Sequence, residues 1–461
     1  MACTSHRSQY PGAPRANPVT LLEMSAPDPH RPLRSIARTI FAHALREAAI
    51  SKAFARHVSC DRGILRVCDD LYDLNAHSRV FVVAIGKAGH TMVEALAAQV
   101  GSRLEGIVAT SVDPGSQVHG FRYFKGGHPT PNADSVRAAE AILKSLNAQT
   151  ATSLVIFMLS GGGSAIAEKP IDDEISLPDL IATYRALVLS GAPIAEINAI
   201  RKHLSGVKGG RLAQAAYPAQ QVSLMVSDVP DSTPDALASG PTMPDSTSVA
   251  DCYAILEKYA LLDQFPPSVR ELFQQHALED TPKSDDPAFV HARWWPVLSN
   301  KTAIDEAGVA ATTHGFAVEV DNSCDDWDYD RAADYLLERL RKLRKSVSRV
   351  CLISGGEVTV KVTNGGIGGR NQQFALACAQ RIAGENTTVL SAGTDGIDGN
   401  STAAGAVADG TTTERAKAAG YDPGAALGSF NAYPLFNALG DAIITGPSGN
   451  NLRDLRILLA W

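Results

Sequence analysis

RVFVVAIGKAGHTMVEALAAQV, residues 79–100, indicates the fold class more clearly than any other segment of the sequence. An apolar run leads directly into Gly86, Lys87 and Gly89, and a helical pattern of apolar residues follows. A continuous apolar run that ends in a glycine turn before a helix is typical of a buried strand in a parallel sheet. We therefore predict a strand, a tight turn and a helix within these residues.

The same pattern recurs along the chain. Further apolar runs end in glycine or polar residues, and helical stretches lie between them; the runs are SLVIFMLSGGGSA (153–165), QVSLMVSDVP (221–230), SRVCLISGGEVTVKV (348–362) and TTVLSAGTDGIDG (387–399). Strands that alternate with helices indicate a doubly wound parallel sheet. The predicted fold class is therefore α/β.

The length of 461 residues predicts two domains, because a single hydrophobic core stops growing at roughly 250–300 residues. The first 35 residues are rich in Pro, Arg and Ser, and Met24 is a second candidate start. We expect a disordered tail at 1–35, a Rossmann-like N-terminal domain at 36–290 and a smaller C-terminal α/β domain at 291–461. The Pro- and acid-rich residues 261–295 would form a helical connector near this boundary.

The composition excludes several classes of protein. A net charge of −7 argues against a nucleic-acid binder, and no apolar run is long enough to predict a membrane span. The seven cysteines show no C-x-x-C spacing, so neither a disulfide framework nor a zinc site is expected. We expect a cytoplasmic protein that acts on a small molecule, with a homodimer as one candidate assembly.

Glycine turns at the strand ends are the first candidate sites, because ligands of open parallel sheets bind outside the carboxyl ends of the strands. Such turns present backbone N–H groups to phosphate, although each turn can also be explained by a need for positive φ. The residues predicted to bind the phosphate groups of a cofactor are Gly86, Ser160, Gly161, Gly162, Gly163, Ser164, Gly356, Glu357 and Asp395.

Two cations stand beside such turns. Lys87 follows a strand directly, and Arg370 follows the glycines of GGIGGRNQQ (365–373). A lysine provides a point charge for a transferring phosphoryl group, and an arginine binds phosphate or carboxylate through two hydrogen bonds. We predict that both are catalytic; the alternative for Lys87 is a solvated residue at a helix start.

Several acids end strands as well. Asp228 and Asp395 are the predicted ligands of Mg²⁺, and Asp228 is also a candidate base for the accepting hydroxyl. Each of them can instead cap a helix or a turn. For Asp398, in the segment DGIDG, we interpret the residue as such a cap or turn residue.

The basic segment INAIRKHLSGVKGGRLA (197–213) contains two further candidates, Arg201 and Lys208. Charge runs usually form a solvated face, but serine and glycines interrupt this one, which favours an anion site. Together with Asn371, which follows Arg370, they are the predicted substrate-binding residues. His128, in a loop, is interpreted as structural.

Familiar signatures are missing from the sequence. It has no G-x-x-x-x-G-K-[ST] segment, no G-x-G-x-x-G after the first strand and no G-x-S-x-G. These absences argue against a P-loop enzyme, a standard NAD-binding domain and an α/β hydrolase.

From about residue 36 to the C-terminus the chain resembles the glycerate 2-kinases of the MOFRL family, some of which carry the label hydroxypyruvate reductase. The matching stretches are AIGKAGHTM, GGHPTPNADS, LSGGGSA, LSGAPIAEINAIRKHLSGVKGGRLA, SDVPDSTPDALASGPTMPDST, GGEVTV, GGIGGRNQQ, AGTDGIDGNSTAAGAVAD and TGPSGNNLRDL. The sequence departs from the family's pattern in the loops at 231–233, 430–433 and 446–451.

The resemblance implies two α/β domains with the active site in the cleft between them. It implies transfer of the γ-phosphoryl group of ATP to the 2-hydroxyl of D-glycerate with Mg²⁺, giving 2-phosphoglycerate and ADP. Lys87 and Arg370 would be the family's catalytic cations, one from each domain. Two alternatives stay open: an NAD(P)H-dependent hydroxypyruvate reductase, and a non-catalytic protein that binds a hydroxy acid or phosphate.

Overall fold

A computed structural model describes residues 31–101, 104–230, 232–362 and 365–461 of the chain. In these residues the α-helices are α1 (Arg31–Glu47), α2 (Ile50–His57), α3 (Gly89–Val100), α4 (Ala133–Leu146), α5 (Gly163–Ile166), α6 (Leu177–Leu189), α7 (Ile194–His203), α8 (Arg211–Ala216), α9 (Val249–Lys258), α10 (Pro267–Gln274), α11 (Asn300–Thr313), α12 (Tyr329–Arg344), α13 (Arg370–Arg381), α14 (Thr412–Ala418), α15 (Pro423–Gly428) and α16 (Ala432–Ala438).

The strands complete the secondary structure, together with short 3₁₀ turns at Pro234–Ser239, Leu262–Gln264 and Pro287–Phe289. They are β1 (Val58–Asp61), β2 (Ile64–Val67), β3 (Asp70–Asp73), β4 (Arg79–Ile85), β5 (Glu105–Thr110), β6 (Phe121–Lys125), β7 (Ser153–Ser160), β8 (Gln220–Val226), β9 (Ala292–Leu298), β10 (Ala317–Val320), β11 (Val350–Gly356), β12 (Thr387–Gly393), β13 (Gly405–Asp409), β14 (Ala442–Ile443) and β15 (Asp454–Ala460).

The first large sheet is parallel throughout, in the order β6-β5-β4-β7-β8-β9. The strand order reverses between β4 and β7, which is where doubly wound sheets open a crevice for ligands. The predicted α/β fold with a Rossmann-like parallel sheet is therefore confirmed.

Both faces of this sheet are covered, which explains why its strands read as continuous apolar runs. Within β4, Phe81, Val83 and Ile85 pack in the cluster that includes α4, while Val82 and Ala84 pack in the cluster that includes α3. Helix α4 begins at a capping box, in which the Asn132 side chain accepts a hydrogen bond from the Ser135 N–H at 2.9 Å.

Two smaller layers flank the first sheet. Strands β1, β2 and β3 form an antiparallel sheet that packs with α2 and α3. Helices α6, α7, α9 and α10 share an apolar cluster of their own. Among the described helices none is long and apolar enough to cross a membrane.

The second large sheet is mixed, in the order β10-β11-β15-β12-β13-β14. Strand β15 lies between β11 and β12 and runs antiparallel to both. Its first residue, Asp454, is therefore paired with Gly356 on one side and with Gly393 on the other. The carboxyl ends of two strands and the amino end of a third meet at one edge of this sheet.

Helix α1 packs against the second sheet. This position differs from two expectations, the tail at 1–35 and the start of the N-terminal domain at residue 36. Helix α1 places Leu33, Ala37, Ile40 and Phe41 in the core cluster of the C-terminal sheet. Their spacing gives the amphipathic stripe of a helix that packs on one face. The remainder of the expected tail, residues 1–30, lies outside the described residues.

The chain also crosses between the sheets later than the expected boundary at 290. Residues 261–295 contain the helix α10, as expected, but they also contain most of β9, which pairs with β8 in the first sheet, so that they belong to the N-terminal domain and do not connect the two domains. The crossing comes at Ser299, directly before α11. The C-terminal part of the chain also contributes to the N-terminal core, because Leu452, in the loop before β15, is buried in a core cluster of the N-terminal sheet.

Candidate active site

Lys87 lies at the crevice where the strand order of the first sheet reverses. The Lys87 backbone N–H donates to the Gly161 carbonyl at 2.9 Å, and the Ala88 N–H donates to Ser160 Oγ at 3.1 Å. A Cβ on Gly86, which has φ +126°, would overlap Ser160. The turns after β4 and β7 are thus fastened together. The Lys87 side chain is exposed, and its ammonium has no ion-pair partner among the described residues.

The glycine loop after β7 is surrounded by side chains at contact distance. A Cβ on Gly161 would overlap Asp228 Oδ2, and one on Gly162, at φ +83°, would lie 2.9 Å from His128 Cδ2. A Cβ on Gly163 would lie 2.6 Å from that of Ala238. Close approach therefore requires glycine at all three positions. In the described structure no acceptor faces the backbone N–H groups of Gly161 and Gly162.

Ser164 fixes the C-terminal end of the glycine loop. Its Oγ lies 2.8 Å from Ser239 Oγ, in the 3₁₀ turn that follows β8. The loop is therefore fixed to β4 at one end and to this turn at the other, so that its N–H groups are held in place before any ligand arrives.

Asp228 follows β8 and is half-buried beside the glycine loop. Burial raises the pKa of the Asp228 carboxyl above its ordinary value, although the charges of Lys87 and Arg453 oppose this rise. No cation lies within ion-pair distance of it among the described residues. A partly desolvated carboxylate without a counter-charge is suited to hold a cation or a proton.

Arg370 opens α13 in the C-terminal domain. Its Nε and Nη2 donate to Asp454 at 2.6 and 3.0 Å, and Nη2 also lies 2.8 Å from Glu357 Oε1. Burial alone would lower the pKa of the guanidinium, but the Asp454 hydrogen bonds raise it above its ordinary value. Two carboxylates thus fix the side chain, and Nη1 has no acceptor in the described part of the chain.

The glycines before Arg370 make room for neighbouring backbone. A Cβ on Gly369 would overlap Asp398, whose carboxylate accepts the N–H groups of Asn371 and Gln372 at 3.0 and 2.9 Å. Burial raises the pKa of Asp398 to about 6. Asp398 is therefore a cap of α13, in agreement with the interpretation made from the sequence.

The other predicted residues of this domain surround Arg370. The Gly356 N–H donates to Asn300 Oδ1 at 3.0 Å, and burial raises the pKa of Glu357. Asp395 Oδ1 accepts the Ile397 N–H at 3.1 Å, which is the contact of a turn residue. A Cβ on Gly393 would lie 3.0 Å from Asp395 Oδ1 and 3.5 Å from Asp454 Oδ1, so both carboxylates flank this strand end.

Arg453 is a residue of the site that the sequence did not reveal. Its Nη1 and Nη2 each donate to the Asp325 carboxylate at 2.7 Å, and its φ is +67°, a strained value for a residue with a side chain. Thr394 holds it there by donating to its carbonyl from N–H and Oγ1. Arg453 lines a cavity of about 450 Å³, opposite Val229 and Pro230 of the N-terminal domain.

The two groups of strand ends face each other. The charge of Arg453 lowers the pKa of Asp228, and the charge of Asp228 raises that of Glu357. Thr91, in the first turn of α3, and Thr394 line one further cavity of about 220 Å³. The residues after β4, β7 and β8 and those around Arg370 thus form the two sides of one interdomain cleft.

The structure does not bring Lys208 into this cleft. Its ammonium is 1% exposed and donates to Glu168, which also accepts hydrogen bonds from Tyr184 Oη at 2.8 Å and Ser205 Oγ at 2.5 Å. Burial lowers the pKa of Lys208, and the Glu168 carboxylate opposes that. The pair is therefore a buried structural ion pair rather than an anion site.

Asn371 also points inward, in contrast to its expected role at the substrate. It is 1% exposed and accepts a hydrogen bond from Ser391 Oγ at 2.6 Å. Arg201 remains a candidate: its guanidinium lies 5.0 Å from the centre of the Tyr184 ring and donates to no acceptor in the described residues. Its Nε is buried without a partner.

The Lys208→Met variant is expected to lose about 3 kcal/mol of unfolding free energy, because it leaves the Glu168 carboxylate buried without a counter-charge. Thermal or denaturant unfolding measures this loss. The matched control, Lys144→Met on the exposed face of α4, should change stability by less than about 0.5 kcal/mol. Equal stability of the two variants would show that Lys208 is not a structural cation.

The Gly161→Ala variant is expected to lower kcat about 100-fold while the chain still folds. The added methyl group would displace the Asp228 carboxylate, which is the movable end of a side chain, and a small displacement in an active site has an effect of this size. Gly428→Ala, where a Cβ meets open space, is the control. Steady-state kinetics of both variants, with circular dichroism, provide the check; unchanged kcat in Gly161→Ala would contradict the role of the loop.

The site could hold a divalent cation only if one or two carboxylates are enough to bind it. No group of three or more metal-ligating side chains occurs among the described residues. Asp228 and Asp395 are separate carboxylates, and neither is engaged by a cation. Mg²⁺ is usually held by one or two carboxylates plus phosphate oxygens and water, so these residues fit a metal that arrives with a nucleotide.

Comparison with known proteins gives two family matches. Residues 36–274 match a "domain of unknown function (DUF4147)", and residues 350–454 match the "MOFRL family". The crystal structure of a glycerate kinase from Thermotoga maritima superposes with a TM-score of 0.82 and 33% identity, over 94% of this chain and 100% of that chain.

Two curated relatives extend the comparison. A D-glycerate 2-kinase of Thermotoga maritima is 36% identical over 387 residues, which is 82% of this chain and 90% of that protein. A putative hydroxypyruvate reductase of Agrobacterium vitis is also 36% identical, over 83% of this chain and 87% of its own length.

Proposed function

The chain belongs to the glycerate kinase family that combines a DUF4147 domain with a MOFRL domain, and from this premise we propose that it phosphorylates D-glycerate. The γ-phosphoryl group of ATP is transferred to the 2-hydroxyl, giving ADP and 2-phosphoglycerate in the presence of Mg²⁺. The observation that carries the proposal is that each side of the cleft has a cation: Lys87 follows β4, and Arg370, which opens α13, is held by Glu357 after β11 and by Asp454 at the start of β15.

Phosphoryl transfer needs positioning and charge stabilisation more than covalent help from the protein, because negative charge spreads over the equatorial oxygens of the transferred group. Lys87 is suited to this role: its ammonium is exposed and unpaired among the described residues, while its backbone is fastened to Gly161. It supplies a point charge whose position is set by the sheet.

Arg370 supplies the second charge. The Asp454 and Glu357 carboxylates hold its guanidinium in one orientation and leave Nη1 for a ligand oxygen. A pre-oriented cation loses little freedom when the transition state forms. Closure of the cleft would bring both cations onto the same phosphoryl group and exclude water.

The glycine loop provides hydrogen bonds for the phosphates. The Gly161 and Gly162 N–H groups have no acceptor in the described structure, and such groups in a turn bind anions. Bound Mg²⁺ supplies neutralisation of phosphate charge, and Asp228 and Asp395 are the residues proposed to hold it.

A hydroxypyruvate reductase is the second candidate, supported by the printed name of the Agrobacterium vitis relative. The strand order of the first sheet is that of dinucleotide-binding proteins. Against it stands the turn after β4, where Lys87 occupies the segment that a G-x-G-x-x-G turn would need. The non-catalytic alternative is not retained, since the chain belongs to a family of enzymes.

The two reactions are separated by their cosubstrates. We expect ADP to appear only when ATP, Mg²⁺ and D-glycerate are all present, and NADH to stay unoxidised with hydroxypyruvate. Lys87→Ala is the control for contaminating kinase activity. NADH oxidation by the wild-type protein without ATP, and no ADP formation, would refute the kinase.

We propose the cytoplasm as the compartment, because the six cysteines of the described residues are all unpaired. A homodimer remains a proposal that light scattering of the purified protein tests.

A further inference from the structure

His128 lies on the glycine loop, in the turn between β6 and α4, and the proposed function gives it no role so far. A Cβ on Gly162 would lie 2.9 Å from His128 Cδ2 and 3.3 Å from Nε2, so the imidazole packs directly against this glycine. In the described structure neither ring nitrogen has a hydrogen-bond partner. The residue is exposed, so that solvent or a ligand can reach its ring nitrogens.

Two ionisable side chains therefore flank consecutive residues of one turn. Asp228 lies against Gly161, and His128 lies against Gly162. The charge of Lys87 acts on both, since it lowers the pKa of each of them. His128 thus belongs to the group of side chains that surrounds the crevice between β4 and β7, although its own strand, β6, is at the edge of the sheet.

The surroundings favour the neutral imidazole. Although the residue is exposed by surface area, partial burial of the ring lowers the pKa of His128, and the charge of Lys87 lowers it further. The charges of the neighbouring elements are engaged elsewhere, in the pairs Lys125–Asp113, Arg137–Asp134 and Lys208–Glu168. Among the described residues, Lys87 is the charged group that acts on the imidazole, while Asp228 lies against the neighbouring Gly161. A neutral imidazole has a lone pair that can accept a proton near neutral pH.

We propose that His128 is a further catalytic residue, whose ring nitrogen takes the proton of the acceptor hydroxyl as that oxygen attacks the transferred phosphorus. The inference rests on the proposed function. The O–H proton moves to the imidazole, the new O–P bond forms, and the bond from the γ-phosphorus to the bridging oxygen breaks. ADP leaves with that electron pair, and the imidazolium returns its proton to water. Asp228 then stays ionised and available to a cation.

The first test is His128→Asn, which keeps a polar side chain but cannot accept the proton. We expect kcat to fall about 100-fold, the usual contribution of a general base, with the KM for ATP changed less than about twofold. His119→Asn is the matched control: His119 adjoins Gly120 just before the amino end of β6, whereas His128 follows the carboxyl end of the same strand. It should behave as wild type.

The pH dependence of kcat distinguishes a base from a merely structural residue. Wild-type kcat should fall as the pH drops through the pKa of His128, below the ordinary 6.5, because the protonated ring cannot accept a proton. This limb should be absent in His128→Asn. Turnover within threefold of wild type, with the acid limb unchanged, would overturn the inference and leave Asp228 as the acceptor.

A readout independent of turnover is the ring C–H resonance of His128, assigned by comparison with His128→Asn. Mg·ADP together with D-glycerate should shift this resonance and leave that of His119 in place. A His128 resonance that does not move would overturn the inference even if the wild-type protein forms phosphoglycerate. Absence of phosphoglycerate in the wild-type reaction would refute the proposed function itself.

Discussion

Replacement of Lys87 by alanine is expected to lower kcat about 1000-fold, which is the upper range for loss of one preorganised electrostatic donor. The side chain is exposed and pairs with nothing in the described residues, so the unfolding free energy should stay within about 0.5 kcal/mol of wild type. Steady-state kinetics and a thermal melt measure the two effects separately.

Two variants sharpen this test. Lys87→Arg keeps the charge in a different shape and should recover part of the lost turnover, because the role assigned to Lys87 is that of a point charge. Lys144→Ala removes a lysine from the exposed face of α4 and should change neither quantity. Wild-type turnover in Lys87→Ala would remove this residue from the mechanism.

Replacement of Arg370 by alanine is expected to lower both turnover and stability. We expect kcat to fall about 1000-fold. The unfolding free energy should fall by about 2 kcal/mol, because Asp454, which is 1% exposed, would lose its counter-charge. The combined variant Arg370→Ala with Asp454→Asn should regain stability and remain inactive, which separates the two roles of the guanidinium.

Arg381→Ala is the matched control at the other end of α13. Arg381 pairs with Asp330 and Asp334, whose side chains are 50% and 67% exposed, and exposed pairs contribute little. Both turnover and stability should stay near wild type. An active Arg370→Ala variant, or a double variant as unstable as the single one, would contradict the geometry described for Asp454.

The architecture of the first sheet could be predicted from local sequence, because a buried parallel strand is a continuous apolar run that can be recognised without knowing which strands it pairs with. The apolar runs that end at Ile85, Ser160 and Val226 locate three adjacent strands and the turns after them. The mixed order of the second sheet could not be predicted, since β15 inserts between β11 and β12 from the end of the chain. Helix α1 likewise joins a sheet more than 200 residues away in sequence.

Side-chain roles were harder to predict wherever the partner is distant in sequence. The charge of Lys208 looks like an anion site until Glu168, 40 residues earlier, is seen to bind it in the interior. Asp454 lies 84 residues from the Arg370 it holds, and nothing in the local sequence marks it. Arg453 is held in the site by hydrogen bonds with Thr394 and Asp325. Both partners are distant in sequence, so the local sequence does not indicate these contacts.

The measurement that tests the central claim most directly is the phosphorus NMR spectrum of the product formed from ATP, Mg²⁺ and D-glycerate. A phosphate on the 2-hydroxyl is coupled to one proton on carbon and should appear as a doublet, together with the resonances of ADP. We expect this doublet. A triplet would place the phosphate on the 3-hydroxyl, and a spectrum that contains only ATP would contradict the assignment of the cleft as a glycerate kinase site.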